Sequence, residues 1–181
     1  MRCFLAIALS DQAIAALTRL QTGLPLGRPV APENLHLTLA FLGDQPDAAL
    51  EALHEELERL AVPPFTLRFT GLGTFGGLRP RVVFADVAAD PGVMSLQAEI
   101  TRALRRAGLV PPKERFHPHV TLARLNTGGP REAEALRGFI TRFGETPLPE
   151  VPVLGFGLYR STLHPKGARY DLLAEYGATV S

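Results

Sequence analysis

The sequence predicts an α+β fold in which two pseudo-symmetric lobes face one another across a central cleft between two sheets. Two observations support this prediction. The tetrapeptide HLTL at residues 36–39 returns as HVTL at residues 119–122, 83 positions later in a chain with five histidines. In addition, the patterns strand, helix, strand, helix, strand follow one another in the same order in both halves. A duplicated half-site explains both observations, and we predict a single domain over residues 1–181.

The first half begins with an apolar run over residues 2–9 that is typical of a buried strand. Ser10 is a favourable N-cap for a helix over about residues 11–22. The first histidine strand covers about residues 35–42, and a second helix runs from residue 46 to about residue 61 with leucines at helical spacing. His54 lies on this helix among glutamates, so we interpret it as a solvated structural residue.

The first half ends with a strand at about residues 64–71, and the second half begins with a strand at about residues 81–87; a glycine-rich run over residues 71–77 separates the two. That run lacks the lysine of a phosphate-binding loop, so we interpret it as a hairpin connection bordering the cleft. A third helix ends near residue 107, before Gly108. The second histidine strand covers about residues 117–124, a fourth helix ends near residue 143, and strands follow at about 150–160 and 169–176.

Composition narrows the class of protein. A hydrophobic content of 46% and a charged content of 20% are ordinary for a folded protein, and the formal charge of +1 argues against a strongly basic coat for duplex nucleic acid. Cys3 is the single cysteine, which excludes an internal disulfide and a cysteine-based metal site. No apolar run has the length of a secretory signal or a membrane span. We therefore expect a soluble, cytoplasmic monomer without membrane contact.

The two tetrapeptides alternate in the period-two pattern of a half-buried strand. The apolar residues Leu37, Leu39, Val120 and Leu122 then point into the core, and each histidine points outward with its threonine. Two facing imidazoles suit general acid and base catalysis at phosphorus, because a pKa near 6.5 lets one be protonated while the other is neutral. Threonine hydroxyls suit the non-bridging phosphate oxygens. The residues alone leave open which histidine is the acid.

The motifs with their flanks, ENLHLTLAFLGD at residues 33–44 and RFHPHVTLAR at residues 115–124, resemble those of the two-histidine (2H) phosphoesterases. More narrowly, they are similar to the bacterial and archaeal RNA 2′,3′-cyclic phosphodiesterases, also called 2′-5′ RNA ligases. The segments RCFLAIAL at residues 2–9 and LYRSTLHPKGARYDLL at residues 158–173 resemble that subfamily as well. The resemblance therefore covers essentially the whole chain.

The resemblance implies a 2H phosphoesterase (LigT-like) fold and opening of an RNA terminal 2′,3′-cyclic phosphate to a 2′-phosphate, without a metal or another cofactor. By motif position, His36 is the proton donor to the departing 3′ oxygen, and His119 is the proton acceptor that activates water. Thr38 and Thr121 hold the phosphate. If an RNA 5′-hydroxyl replaces water, the same site joins 2′-5′ ends reversibly without ATP. The implied partners are RNA 3′ ends that carry a 2′,3′-cyclic phosphate or a 2′-phosphate.

Several residues near the motifs have two interpretations. Arg124 matches a basic position of the subfamily, but simple alternation puts it on the face opposite His119, so binding phosphate requires a bulge or a strand end. Phe116 stacks a nucleobase or belongs to the core. We interpret His117 as a residue of the rim and His164 as structural or peripheral. The remaining candidates for an RNA path, which are otherwise ordinary surface residues, are Arg160, Ser161, Lys166 and Arg169.

Three alternative functions stay open at this point. A metal-dependent hydrolase would use His36, His117 and His119 as ligands, although no aspartate, glutamate or cysteine lies in either motif to complete the set. A non-catalytic protein would bind RNA ends or nucleotides without turnover. A third alternative is a phosphodiesterase for a small cyclic nucleotide.

Overall fold

The structure is a computed structural model that describes residues 1–126, 129–165 and 167–177. Helices and strands alternate along these ranges, which confirms the α+β class. The elements are β1 (Arg2–Ala8), α1 (Asp11–Gln21), β2 (Arg28–Pro29), a 3₁₀ turn (Pro32–Asn34), β3 (His36–Asp44), α2 (Asp47–Glu58), β4 (Phe65–Leu67), β5 (Phe69–Phe75), β6 (Val82–Val87), α3 (Pro91–Arg106), β7 (His119–Arg124), α4 (Pro130–Phe143), β8 (Val151–Val153), β9 (Gly155–His164) and β10 (Gly167–Gly177).

The main sheet has the strand order β10-β9-β1-β3-β7-β6-β5, the short β2 pairs with β7, and β4 pairs with β8 in a separate ribbon. The pairings are antiparallel. In the described chain, β3 and β7 are paired at one position, Leu37 opposite Val120. The two sheets predicted from the sequence are therefore two halves of one hydrogen-bonded sheet. They meet at the strands that carry the two histidine motifs.

The predicted duplication extends through both halves. The series β1-α1-β3-α2-β4-β5 is followed along the chain by β6-α3-β7-α4-β8-β9. The last strand of each series pairs with the first strand of the other, because β5 lies beside β6 and β9 lies beside β1. β10 adds a further strand at the edge next to β9. Each lobe thus contains the last strand of the other series, so neither lobe is a contiguous half of the sequence.

The helices pack across the junction between the lobes. α1 contacts β7 and α3 contacts β3, so the first helix of each series supports the histidine strand of the other. The Ser10 hydroxyl caps α1 by accepting a hydrogen bond from the Ala13 N–H at 3.3 Å, as the sequence predicted. One cluster of buried side chains includes residues from α1, α2, α3 and both histidine strands. No helix in the described ranges combines the length and apolar character needed to cross a bilayer.

Several element bounds differ from the sequence prediction: the strands expected at about 64–71 and 150–160 are each divided in two, and β9 continues to His164. Two further differences lie beside the histidine motifs. The glycine-rich run is not simply a hairpin connection, because β5 continues through it to Phe75 and the turn comes after Gly76. The second histidine strand begins at His119 and not at residue 117. Pro118 has no N–H to donate to a neighbouring strand, and its carbonyl accepts a bond from the Val87 N–H at 3.1 Å.

Candidate active site

The two histidine motifs have matching patterns of exposure. Leu37, Leu39, Val120 and Leu122 are at most 2% exposed. His36, Thr38, His119 and Thr121 are half-buried on the other face of the sheet. The pairing of Leu37 with Val120 brings the two histidine–threonine pairs to the junction of the lobes. The sequence prediction of inward leucines and outward histidines is thus found in both strands.

Each catalytic candidate is held by a backbone carbonyl two residues earlier in the chain. The Nδ1 atom of His36 lies 2.6 Å from the Asn34 oxygen, and the Nδ1 atom of His119 lies 2.7 Å from the His117 oxygen. A carbonyl oxygen accepts hydrogen bonds and donates none, so Nδ1 carries the proton in both rings. In the neutral rings, Nε2 is therefore the nitrogen that can take up a proton. In His36 this atom lies 2.9 Å from the Thr38 hydroxyl.

The surroundings of the two rings lower the pKa of both imidazoles, mainly by burial. For His36, the bond to the Asn34 carbonyl opposes this shift, while the charges of His119 and Arg124 lower the pKa further. For His119, the bond to the His117 carbonyl and the charge of Asp86 raise the pKa, and the charge of His117 lowers it. Both shifts favour the neutral form of the ring. The pKa of His36 thus depends in part on the charge of His119.

A bulge turns Arg124 to the face of the histidines. On β6 and β7, Phe84 pairs with Thr121 while Val83 pairs with Ala123, so Leu122 is an extra residue in β7. One extra residue reverses the alternation that follows it. The exposed Arg124, which follows the buried Leu122 and Ala123, therefore lies on the face of His119. Phosphate binding by Arg124 required a bulge or a strand end, and the structure has a bulge at this point.

The first lobe has the same bulge at the equivalent position. Thr38 pairs with Ala6 while Ala40 pairs with Leu5, which leaves Leu39 as the extra residue. Phe41 then occupies the position that corresponds to Arg124, and its side chain is 62% exposed. The two strands thus share their backbone distortion but differ in the side chain that it presents.

Aromatic rings support each imidazole. In the first lobe, Phe4 lies 4.9 Å from the His36 ring and Tyr159 stacks on Phe4 at 5.4 Å between centroids. In the second lobe, Phe84 lies 5.3 Å from the His119 ring and Phe75 stacks on Phe84 at 4.2 Å. The sheet places an aromatic pair against each histidine, which restricts its rotation.

A second repeat in the sequence supplies one ring of each stacked pair, Phe75 and Tyr159, and the sequence reasoning missed it. GLGTF at residues 71–75 returns as GFGLY at residues 155–159, at a spacing of 84 positions. Strand register makes Gly73 and Gly157 equivalent, since they pair with Phe84 and Ala6, and each of these pairs in turn with a motif threonine. A Cβ atom on Gly73 would lie 2.6 Å from the Phe84 ring, and one on Gly157 would lie 2.7 Å from the Tyr159 ring. Glycine is therefore required for the rings to pack against the strand.

Asp86 is a further residue of the site that sequence reasoning did not identify. It pairs with His119 in the register of β6 and β7, and its Oδ1 atom lies 2.7 Å from Nε2 of His117. His117 has an exposed side chain, as expected of a rim residue, yet its carbonyl also accepts the hydrogen bond from His119. Asp86 and His117 therefore form a hydrogen-bonded pair that contacts His119 through the backbone of His117.

The other sequence candidates lie in different surroundings. Phe116 is half-buried and packs against the hydrophobic core. Arg160 and Arg169 both bind Asp171, at 2.9 Å and 3.0 Å. His54 bonds to the Tyr176 hydroxyl at 2.9 Å, away from the motifs. Lys166 lies outside the described residues.

The proposed metal ligands do not form a cluster. Within residues 1–126, 129–165 and 167–177, no group of three or more histidine, cysteine, aspartate or glutamate side chains has an arrangement that could hold a metal ion. The set of His36, His117 and His119 considered from the sequence is therefore not assembled here. His117 instead pairs with Asp86.

Comparisons with known proteins agree with the geometry. Residues 9–162 match the 2′-5′ RNA ligase superfamily. The RNA 2′,3′-cyclic phosphodiesterase of Thermus thermophilus is 38% identical over 97% of this chain and 89% of the relative. The protein of the same name from Aeropyrum pernix is 35% identical over 88% of this chain and 90% of the relative.

A solved structure gives the same result for the fold. The crystal structure of Escherichia coli LigT complexed with 3′-AMP has a TM-score of 0.73 and 28% identity, and the match covers 98% of this chain and 97% of that one. The likeness confirms the LigT-like fold expected from the paired motifs. Because the superfamily match covers most of the chain, the protein belongs to the 2′-5′ RNA ligase superfamily of 2H phosphoesterases.

Proposed function

We propose that the protein is an RNA 2′,3′-cyclic 3′-phosphodiesterase that opens the terminal cyclic phosphate to a 2′-phosphomonoester. The observation that supports this most directly is the matched pair of half-buried imidazoles, each with Nδ1 bound to a carbonyl, so that Nε2 is the nitrogen that can exchange a proton. Two curated relatives carry the name of this activity. A bound 3′-AMP in the LigT structure agrees with a ligand that is a nucleotide.

In the proposed reaction, water attacks phosphorus from the side of His119 while the 3′ oxygen departs on the side of His36. Nε2 of His119 accepts a proton from the water as the new P–O bond forms. Nε2 of His36 donates a proton to the 3′ oxygen as the old P–O bond breaks. The product carries a 2′-phosphate and a 3′-hydroxyl, and exchange with solvent returns both histidines to their starting states.

The environments of the two rings agree with this division of roles. Burial lowers the pKa of His119, and the charge of Asp86 opposes that shift, which keeps the ring more basic than burial alone would. Burial, followed by the charges of His119 and Arg124, lowers the pKa of His36, which makes its protonated form a stronger acid than a free imidazolium. A bound phosphate anion opposes this lowering of the His36 pKa and allows His36 to keep its proton until the P–O bond to the 3′ oxygen breaks.

The hydroxyls of Thr38 and Thr121 donate hydrogen bonds to the non-bridging oxygens in this proposal, and Arg124 adds positive charge beside them. The half-buried position of both threonines next to the histidines supports these roles. An RNA 5′-hydroxyl in place of water would give a 2′-5′ linkage by the same proton transfers. Ligation is therefore part of the proposal and needs no ATP.

The test uses an oligonucleotide that ends in a 2′,3′-cyclic phosphate, incubated with the protein in the presence of a strong chelator. We expect a product heavier by one water, with the phosphate on the 2′ oxygen as assigned by phosphorus NMR. Adding an oligonucleotide with a free 5′-hydroxyl tests ligation in the same mixture. Binding without turnover would identify a non-catalytic RNA-end binder, and activity that is lost with the chelator and restored by a metal ion would identify a metal-dependent hydrolase.

A further inference from the structure

A basic groove lies at one end of the cleft. It has a volume of about 630 Å³, and its walls include Arg28, Asn34, Arg124, Arg169 and Tyr170. This volume is within the range of small-molecule sites. Two of the residues also contact His36: the Asn34 carbonyl accepts its Nδ1–H bond, and the Tyr170 ring lies 5.4 Å away edge-on. The groove is therefore continuous with the candidate active site.

Two positive charges face each other in this groove. Arg28 on β2 pairs directly with Arg124 on β7, and both residues are exposed. Like charges directly opposite one another on paired strands are destabilising. Among the described residues, neither guanidinium has a carboxylate within 4.0 Å, because the ion pairs there involve other arginines. By contrast, Asp171 binds both Arg160 and Arg169, so the charge of Arg169 in the groove is already matched.

A buried amide holds Arg28 in this unfavourable position. The side chain of Gln21, which is 9% exposed, donates hydrogen bonds to the Val30 and Leu122 carbonyls, both at 2.8 Å. The Val30 N–H also donates to the Leu122 carbonyl at 2.8 Å. These bonds fasten the two-residue strand β2 to β7. A buried polar group thus helps to hold two arginines side by side. An anion bound between them would offset their repulsion.

The chemistry of the neighbouring site identifies the anion. We propose that Arg28, together with Arg124, binds the phosphodiester group that precedes the terminal nucleotide of the RNA. The inference rests on the proposed function. Arg124 lies near both positions, since its charge acts on His36, whereas Arg28 belongs to the groove alone. A nucleoside 2′,3′-cyclic phosphate has no preceding phosphodiester, so the enzyme prefers oligonucleotide ends. Glu33 also lines the groove, and it lies on the 3₁₀ turn and not on the paired strands.

The test compares adenosine 2′,3′-cyclic phosphate with a dinucleotide that ends in the same cyclic phosphate. We expect Arg28→Ala to lower kcat/KM for the dinucleotide about tenfold, mainly through KM, and to change the value for the mononucleotide less than about twofold. The slope of log KM against log salt concentration should fall by roughly 0.7 for the dinucleotide, the value for one phosphate contact on a single strand. The matched control is Arg137→Ala on α4, where an exposed arginine lies outside the groove.

An equal loss on both substrates, or no loss on either, would overturn the inference. Thermal unfolding checks the fold. Because Arg28→Ala removes a repulsion between two arginines, we expect its Tm to be no lower than that of the wild type and up to about 3 °C higher. If the wild type opens neither substrate, the proposed function fails. In that case the groove is tested by calorimetry. The dissociation constant of a dinucleotide with a 2′-phosphate end is compared with that of adenosine 2′-phosphate. Arg28→Ala must weaken binding of the first ligand and spare the second.

Discussion

The two lobes share a backbone and differ in the charges around their histidines. In both, a carbonyl two residues earlier fixes the proton of the imidazole on Nδ1, and the strand bulges one residue after the threonine. Both place an aromatic pair against the histidine ring. These shared features orient the two rings alike. Duplication of the backbone thus accounts for the geometry of the pair.

The side chains around that backbone differ at equivalent positions. The residue opposite His36 in the neighbouring strand is Ala8, whereas the residue opposite His119 is Asp86. Asn34 precedes the first motif where His117 precedes the second. The bulge presents Phe41 in the first lobe and Arg124 in the second. Under the proposed mechanism, a symmetric scaffold obtains two different proton-transfer groups because the residues next to the rings differ and the rings themselves do not.

The largest effect is expected from removing either histidine. His36→Ala and His119→Ala should each lower kcat for cyclic phosphate opening by roughly 10² to 10⁴, because each loses one proton transfer in the transition state. Steady-state kinetics on an oligonucleotide with a cyclic end measures the loss, and circular dichroism checks the fold. His54→Ala on α2 is the matched control. Near-normal kcat in either folded variant would remove that histidine from the mechanism.

A substrate with a better leaving group distinguishes the two histidines. A 3′-deoxynucleoside 2′-(4-nitrophenyl phosphate) releases nitrophenolate, which needs no proton from an acid. His36→Ala should then regain most of the lost rate, whereas His119→Ala should stay slow because water still needs its base. The reverse pattern would exchange the roles of the two rings.

A smaller effect is expected at the threonines. Thr38→Val and Thr121→Val should each lower kcat by roughly 10 to 10³, by analogy with the loss of one donor to a developing oxyanion. The two lobes differ here as well, since Thr38 also contacts Nε2 of His36 at 2.9 Å. The pH profile of Thr38→Val should therefore change along with its rate. Thr66→Val on β4 is the control, and unchanged kcat in both motif variants would exclude a role in phosphate binding.

The sequence predicted the parts of this site that depend on local pattern. Alternation over four residues was enough to orient His36, Thr38, His119 and Thr121, and two copies in one chain showed that they belong together. The order of helices and strands followed from periodicity and from turn residues. These features are local because each is decided by neighbours along the chain.

The parts that were missed depend on contacts between distant segments. Asp86 lies beside His119 because of the register between two strands, which no local pattern specifies. The bulge that turns Arg124 to the face of the histidines shifts the register by one residue, and no particular residue type marks it in the sequence. The GLGTF and GFGLY repeat was visible in the sequence. It was missed because a run of glycines was interpreted as a turn, although the glycines make room for aromatic rings.

The smallest effect, and the most specific to the difference between the lobes, concerns Asp86 and His117. The carboxylate of Asp86 raises the pKa of His119, so Asp86→Asn should lower it. A general base works in its neutral form, so the acidic limb of kcat/KM against pH should move to lower pH. The plateau should fall by about tenfold or less, because a weaker base accepts the proton less readily. Asp90→Asn, which removes a carboxylate bound to Arg68, is the control.

His117→Asn gives the second lobe the residue of the first and should act in the opposite direction. The charge of His117 lowers the pKa of His119, and the substitution also leaves Asp86 without its partner, so the pKa of His119 should rise. The carbonyl that fixes Nδ1 belongs to the backbone and is kept. The acidic limb should therefore move to higher pH in His117→Asn and to lower pH in Asp86→Asn. Shifts of the same sign in the two variants would mean that the pair acts on packing and not on the charge of His119.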